Sequence, residues 1–231
     1  HGALACIYIP QNTPSTKVAK IEAAGGEIRR VAGGYEDALA AAVAHAEACD
    51  DALLPSYDHS IIIEGNRSLY REAAQQSGLI FPRIAVPVGG GGCISAAILE
   101  GAASGAEIIA GEYAPFERIQ RIALDSQTGD IDTDYVVEPS LEGIAIKTLG
   151  VSNRRILSES QNLAPCSVSY AELLTACRIL NDECDIIAEL GACAGFAAAL
   201  KKPNPSKEPT LCVITGGNID ADVHAEVMSK N

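Results

Sequence analysis

The chain has 231 residues, enough for one large domain or two small ones. A net charge of −13 argues against non-specific binding to nucleic acid or anionic membrane, because both depend on Lys and Arg. No stretch approaches the roughly 18 uninterrupted apolar residues of a membrane span, and the longest candidate, Leu190 to Leu200, has 11. No secretory signal precedes the first predicted strand, so the expected location is the cytoplasm. Eight cysteines are scattered among Ala, Ile and Leu without a Cys-x-x-Cys pair, which predicts free thiols buried as small hydrophobes in a reducing compartment. His1, His45, His59 and His224 show no ligand spacing, and no metal site is expected from them.

In chain order, Leu4 to Ile9 reads as a short apolar strand ended by Pro10. Thr13-Pro14 opens a helix to about Ala24, with Pro14 tolerated in its first turn. Gly25-Gly26 stops that helix before a second strand, Glu27 to Val31, and Gly33-Gly34 leads into a helix over Tyr35 to Ala48. The first fifty residues therefore alternate β-α-β-α, the pattern of a parallel sheet with helices packed on it. Ala52 to Leu54 is a short apolar piece, Pro55 to Ser60 a polar loop, and Ile61 to Gln76 a helix carrying Gly65-Asn66 near its start. A strand over Arg83 to Val88 runs into four glycines, Gly89 to Gly92, and a helix follows over Cys93 to Ser104. Glu107 to Gly111 gives a further buried strand, Asp125 to Asp134 a polar surface loop, and Leu141 to Leu149 an irregular apolar segment near the interior.

Ser169 and Glu172 form a capping box for a helix running to about Asn181. The next helix, Glu189 to Lys201, is apolar on every side and so is expected at the centre of the core. Lys201-Lys202 at its end complement the helix dipole. Leu211 to Ile214 is the last strand, closing on Thr215-Gly216-Gly217-Asn218.

The glycine run carries the chemistry. Four adjacent glycines destabilise any regular element, because each loses more backbone entropy on folding than other residues do. They suit a place where backbone must approach a ligand closely. Between a strand and a helix they aim free N–H groups and the positive helix end at one point, which favours a phosphate. A mobile surface turn is the alternative reading; the flanking buried strand and Ala-rich helix favour the cradle. With so few basic residues, an anion here is held by backbone dipoles. The G-x-G-x-x-G spacing of a dinucleotide fold is absent.

These pieces together resemble the fold type II, tryptophan-synthase-β-like pyridoxal-phosphate enzymes, and within them the threonine/serine dehydratases. Leu4–Pro10 with Lys17-Val18 and Gly25-Gly26-Glu27-Ile28 is similar to the family's small-domain strand–helix–strand. Pro87-Val88-Gly89-Gly90-Gly91-Gly92 resembles its phosphate loop, and Glu142-Gly143-Ile144-Ala145 its Asp-Gly-Leu-Ala segment. Glu189-Leu190-Gly191-Ala192 is similar to Glu-Pro-Ser-Gly with the proline replaced, and Thr215-Gly216-Gly217-Asn218-Ile219-Asp220 to Ser-Gly-Gly-Asn-Ile-Asp with Thr for Ser. Gly65-Asn66 departs from the family's Gly-Gln-Gly helix start. The order of the five motifs along the chain, more than any one of them, makes the resemblance.

The resemblance implies an α/β fold of open, mostly parallel sheets with helices on both faces. Residues 1–50 would be the remainder of a small domain, and residues 51–231 a large domain with the phosphate loop. It implies pyridoxal 5'-phosphate as cofactor, its phosphate on the amides of Gly89, Gly90, Gly91 and Gly92 and its ring nitrogen facing the Thr215 hydroxyl. Gly143 and Glu189 would line the pocket. The implied activity is an ammonia-lyase: β-elimination from a hydroxy or amino-substituted amino acid to keto acid and ammonia.

Two family features are not found: the Ser-x-Lys-x-Arg-Gly segment with the Schiff-base lysine, and the Ser-x-Gly-Asn-His loop that clamps the substrate carboxylate. The chain is thus expected to start inside the small domain, to be inactive by itself with no catalytic residue of its own, and to self-associate through its exposed edge. The alternative is a non-catalytic relative that binds a phosphorylated ligand or a partner chain. The family's metal site is matched by Glu112, but the positions four and six residues on are Phe116 and Arg118, and Arg118 cannot ligate a cation.

Overall fold

A computed structural model describes residues 4–13, 15–123, 141, 143–219 and 221–229. Two compact units divide the chain, His1–Pro55 and Ser56–Asn231. In the first, strands β1 (Cys6–Pro10) and β2 (Glu27–Val31) pair in parallel, with helices α1 (Ser15–Ala23) and α2 (Tyr35–Cys49) in the alternation expected. Leu4 stays outside β1 and is exposed. Pro10 ends the strand from within: its carbonyl accepts the Thr13 amide and hydroxyl, which turns the chain.

The second unit is built on a four-stranded parallel sheet of order β5-β4-β3-β6, namely Leu163–Val168, Glu107–Tyr113, Arg83–Pro87 and Thr210–Cys212. Every residue of β3 is buried, as a central strand covered on both faces requires. Alternation along the strands sorts the core into two layers. Ile84, Val86, Ile108 and Ala110 face α3 (Ser60–Ser77) and α4 (Gly92–Gly101). Ala85, Ile109, Cys166 and Val168 face the layer that holds α7 (Tyr170–Cys184) and α8 (Ala194–Lys201). This is the open parallel α/β architecture that the sequence implied. The remaining α-helices among the described residues are α5 (Arg118–Ala123), α6 (Val151–Glu159) and α9 (Ala221–Ser229).

Several boundaries differ from expectation for identifiable reasons. The predicted Cys93–Ser104 helix stops at Gly101, and Gly105 at φ +69° turns the chain into β4. The predicted helix Glu189–Lys201 divides into a 3-10 turn, Leu190–Cys193, and α8. Its central place is confirmed by Gly195, where an added Cβ would lie 2.8 Å from the Val86 carbonyl carbon. Strand β5 was not anticipated because Pro165 interrupts its pattern; it lies at the sheet edge, where a residue without an N–H is tolerated. Helices α5, α6 and α9 were also unanticipated, and Ala52–Leu54 forms no regular element. Of the eight free cysteines, Cys166, Cys177 and Cys193 are buried as expected, whereas Cys6, Cys49 and Cys184 are exposed. The predicted Asp125–Asp134 loop, Glu142 and Asp220 lie outside the described residues. Among the described residues, no helix is long and apolar enough to cross a membrane.

Candidate functional site

Chain order and spatial order disagree at one point in the large sheet. From β3 the chain steps to β4 and then β5 on one side, and it returns to place β6 on the other side of β3. Parallel α/β sheets open a crevice at the carboxyl ends of the strands at such a reversal. Two predicted segments come off these neighbouring strands: Gly89–Gly92 begins two residues beyond the end of β3, and Thr215–Gly217 three residues beyond the end of β6.

The glycine loop is held from several directions, each demanding the absence of a side chain. A Cβ on Gly89 would lie 2.3 Å from the Gly143 carbonyl oxygen, and one on Gly90 would lie 2.2 Å from the Tyr57 ring. Gly91 takes φ +105° and lies against the Asn153 side chain, where an added Cβ would come within 2.7 Å. Gly91 caps α4 without any side-chain hydrogen bond, so the first-turn amides of this helix have no intrahelical partner. The cradle is therefore backbone throughout.

Asn153 and Ser95 brace this loop, and neither stood out in the sequence. Asn153 is fully buried; its amide donates to the carbonyls of Gly90 (3.3 Å) and Tyr57 (3.2 Å). Its own oxygen accepts the buried Ser95 hydroxyl at 2.7 Å, tying α6 to α4. The Asp58 carboxylate accepts the Val151 and Ser152 amides at 2.8 and 3.0 Å, capping α6 so that Asn153 is aimed at the loop. From the other side, the Arg118 guanidinium donates to the carbonyls of Val88 and Gly89 at 2.6 and 2.8 Å. Burial lowers Arg118 to about 10, which leaves it charged at neutral pH. Burial also pushes the neighbouring Glu112 carboxyl up, against the pull of Arg118 and of two amides.

The second half of the crevice is lightly built. Thr215 is exposed, and the Glu189 amide donates to the Gly216 carbonyl at 3.2 Å. The Glu189 side chain lies over Gly216, where an added Cβ would be 2.0 Å from its carboxylate. Thus the structure places Gly143 against Gly89 and Glu189 against Gly216, one predicted lining residue on each half.

In the first unit, His45, Cys49 and Asp51 place donor atoms within 4.8 Å of one another, a grouping the histidine spacing did not suggest because Asp51 lies beyond the end of α2. The imidazole turns Nδ1 to Cys49 (3.9 Å) and Nε2 to Asp51 (3.5 Å), opposite ring edges.

The loop fits a phosphate: side-chain-free backbone, a helix of ten residues behind it, and first-turn amides without an intrahelical partner at its N-terminus. The biosynthetic L-threonine dehydratase of Pasteurella multocida is 29% identical over 224 residues, 95% of this chain and 43% of that protein. The L-threo-3-hydroxyaspartate ammonia-lyase of Saccharomyces cerevisiae is 28% identical over 228 residues, 97% of this chain and 68% of that protein. The processed form of threonine deaminase isoform 2 from Solanum lycopersicum superposes with a TM-score of 0.83 at 22% identity, covering 98% of this chain and 66% of that one. The chain spans about half the length of most of the threonine dehydratases it matches. Residues 1–216 match the family model described as pyridoxal-phosphate dependent enzyme, and the chain belongs to that family.

Proposed function

We propose that this chain is the cofactor-holding part of a pyridoxal-phosphate-dependent ammonia-lyase acting on a hydroxy or amino-substituted amino acid. The observation that carries the reading is the glycine cradle at the reversal point of the sheet, with Thr215 following the neighbouring strand β6. When bound, pyridoxal phosphate supplies an electron-accepting ring that assists loss of an α-proton and a β-substituent. The amides at Gly89–Gly92 would hold the phosphate, and the Thr215 hydroxyl would meet the ring nitrogen as donor or acceptor. A neutral hydroxyl does not favour a protonated ring as a carboxylate would, which suits elimination. Gly143 and Glu189 keep the two ends of the pocket in place through Gly89 and Gly216. These residues contain no Ser-x-Lys-x-Arg-Gly segment, so we assign cofactor binding to this chain and turnover to a protein that also carries the reactive lysine.

The test is a pyridoxal phosphate titration of the protein and its Gly90→Asp variant, read by absorbance and fluorescence. The aspartate adds like charge and strikes the Tyr57 ring. Loss of about 3 kcal/mol, roughly a hundredfold in affinity, is expected. Unchanged affinity would mean that the cradle is misplaced. Keto acid release from L-threonine, L-serine and threo-3-hydroxyaspartate, measured on protein with the lysine segment, then identifies the substrate.

A further inference from the structure

Outside the cradle itself, Arg118 uses every hydrogen-bond donor of its side chain. It is fully buried, and its five N–H donors are all taken by backbone carbonyls: Phe116 on Nε, Gly89 and Ile146 on Nη1, and Val88 and Ile144 on Nη2. The distances run from 2.6 to 3.3 Å. Its charge is answered by Glu112, 3.7 Å from Nε, and that carboxylate is itself fixed by the amides of Arg118 and Ile119. Three separate stretches of chain thus converge on one guanidinium: the loop entrance at Val88-Gly89, the Ile144–Ile146 segment beside Gly143, and the turn after β4.

Five carbonyl oxygens and a carboxylate gathered around one point make an oxygen cage of the kind that hard cations occupy. Here the cage has no room for a metal. Phe116 and Glu112, which stand where the family resemblance suggested a cation site, already face the guanidinium, and a planar fork with five donors satisfies oxygens that an ion would otherwise coordinate. The residues present do not fit a bound metal.

We infer that Arg118 is a tethered cation that holds the phosphate loop against the Ile144–Ile146 segment without any metal ion, and so is a positioning residue for the cofactor phosphate. The inference rests on the reading of the loop as a phosphate cradle. Arg118 faces carbonyls and not the cradle amides; it acts by fixing where those amides point.

The experiment compares the wild-type protein with Arg118→Ala and Arg118→Lys. Melting temperature and pyridoxal phosphate affinity are measured in EDTA and with added Ca2+, Mg2+, K+ or dilute guanidinium, and inorganic phosphate serves as a second ligand. Wild type is expected to show the same melting temperature and affinity in every cation condition. Arg118→Ala is expected to lose at least about tenfold in affinity. It should regain part of the affinity and melting temperature with Ca2+ or guanidinium, which refill the vacated cage. Arg118→Lys keeps the charge with fewer donors and should fall between the two.

Loss of wild-type stability or affinity in EDTA, restored by a divalent ion, would overturn the inference. So would wild-type affinity in Arg118→Ala, or losses in that variant that no cation relieves while Arg118→Lys behaves as the alanine does. Should Arg118→Ala not fold, the lysine variant and the wild-type EDTA series decide between these outcomes. If wild type binds neither pyridoxal phosphate nor inorganic phosphate, the cradle reading fails. The cation dependence of the melting temperatures still decides whether Arg118 replaces a metal.

Discussion

The two halves of the crevice are built on opposite principles. The loop after β3 is braced by Tyr57, Gly143, Asn153 and Arg118, all crowded against backbone that lacks side chains. The turn after β6 has an exposed Thr215 and a flanking glycine under the Glu189 side chain. The difference fits the roles proposed for the two halves. A backbone cradle offers weak dipoles that act together only if their directions are fixed in advance, so it needs buried supports. A single hydroxyl facing one ring nitrogen rotates to suit its partner and needs little support.

If that contrast is right, damage to a brace should cost both stability and affinity. The largest effect in this set is expected from Asn153→Ala. It leaves the buried Ser95 hydroxyl and the Gly90 carbonyl without a shared partner, at about 2–4 kcal/mol. The melting temperature should fall by roughly 5–10 °C, and phosphate affinity should fall with it. Thermal denaturation with and without inorganic phosphate measures both; a variant that melts lower but binds phosphate as before would separate the brace from the cradle.

On the β6 side the prediction reverses. Thr215→Val keeps shape and removes the hydroxyl at an exposed position, so the melting temperature should change by no more than about 1 °C. Cofactor affinity should drop by roughly fivefold, the worth of one hydrogen bond, with a changed absorbance spectrum that Thr215→Ser restores. A stability loss comparable to that of Asn153→Ala would show that the two halves are not built differently after all.

What could be read from the sequence divides along the same line. Gly89–Gly92 and Thr215–Gly217 announce themselves by composition, and the β-α alternation around them follows from apolar runs and glycine stops. The capping box of Ser169 and Glu172 is present as expected, with both reciprocal hydrogen bonds formed. The braces were hidden. Asn153 sits in a short polar stretch, Asp58 in a loop, and Arg118 draws notice in the sequence only as a residue that cannot ligate a cation, yet Asn153 and Arg118 are fully buried. Their partners are mostly backbone carbonyls 26 to 96 residues away in the chain, and a carbonyl has the same sequence signature at every residue. Residue type alone cannot show that an arginine will be satisfied by five of them.

The smallest effect tests whether the rigidity of the loop is local. At the far end of α4, Glu100 accepts Arg67 Nε at 2.5 Å and Arg71 Nη2 at 2.6 Å, joining α4 to α3. Its hydrogen bonds to Arg71 first, and then to Arg67, hold the carboxyl below the ordinary glutamate value. A carboxyl depressed in the folded state stabilises above its unfolded pKa, about 4.3, and that contribution disappears as pH falls through the lower folded value. Glu100→Gln should therefore melt about 2 °C below wild type at pH 7. The gap should close below about pH 4, while phosphate affinity at pH 7 stays at the wild-type level. Comparable loosening of phosphate by Glu100→Gln and Asn153→Ala would mean that the cradle is fixed by the docking of the whole helix, and that the contacts of Tyr57, Gly143 and Asn153 only follow from it.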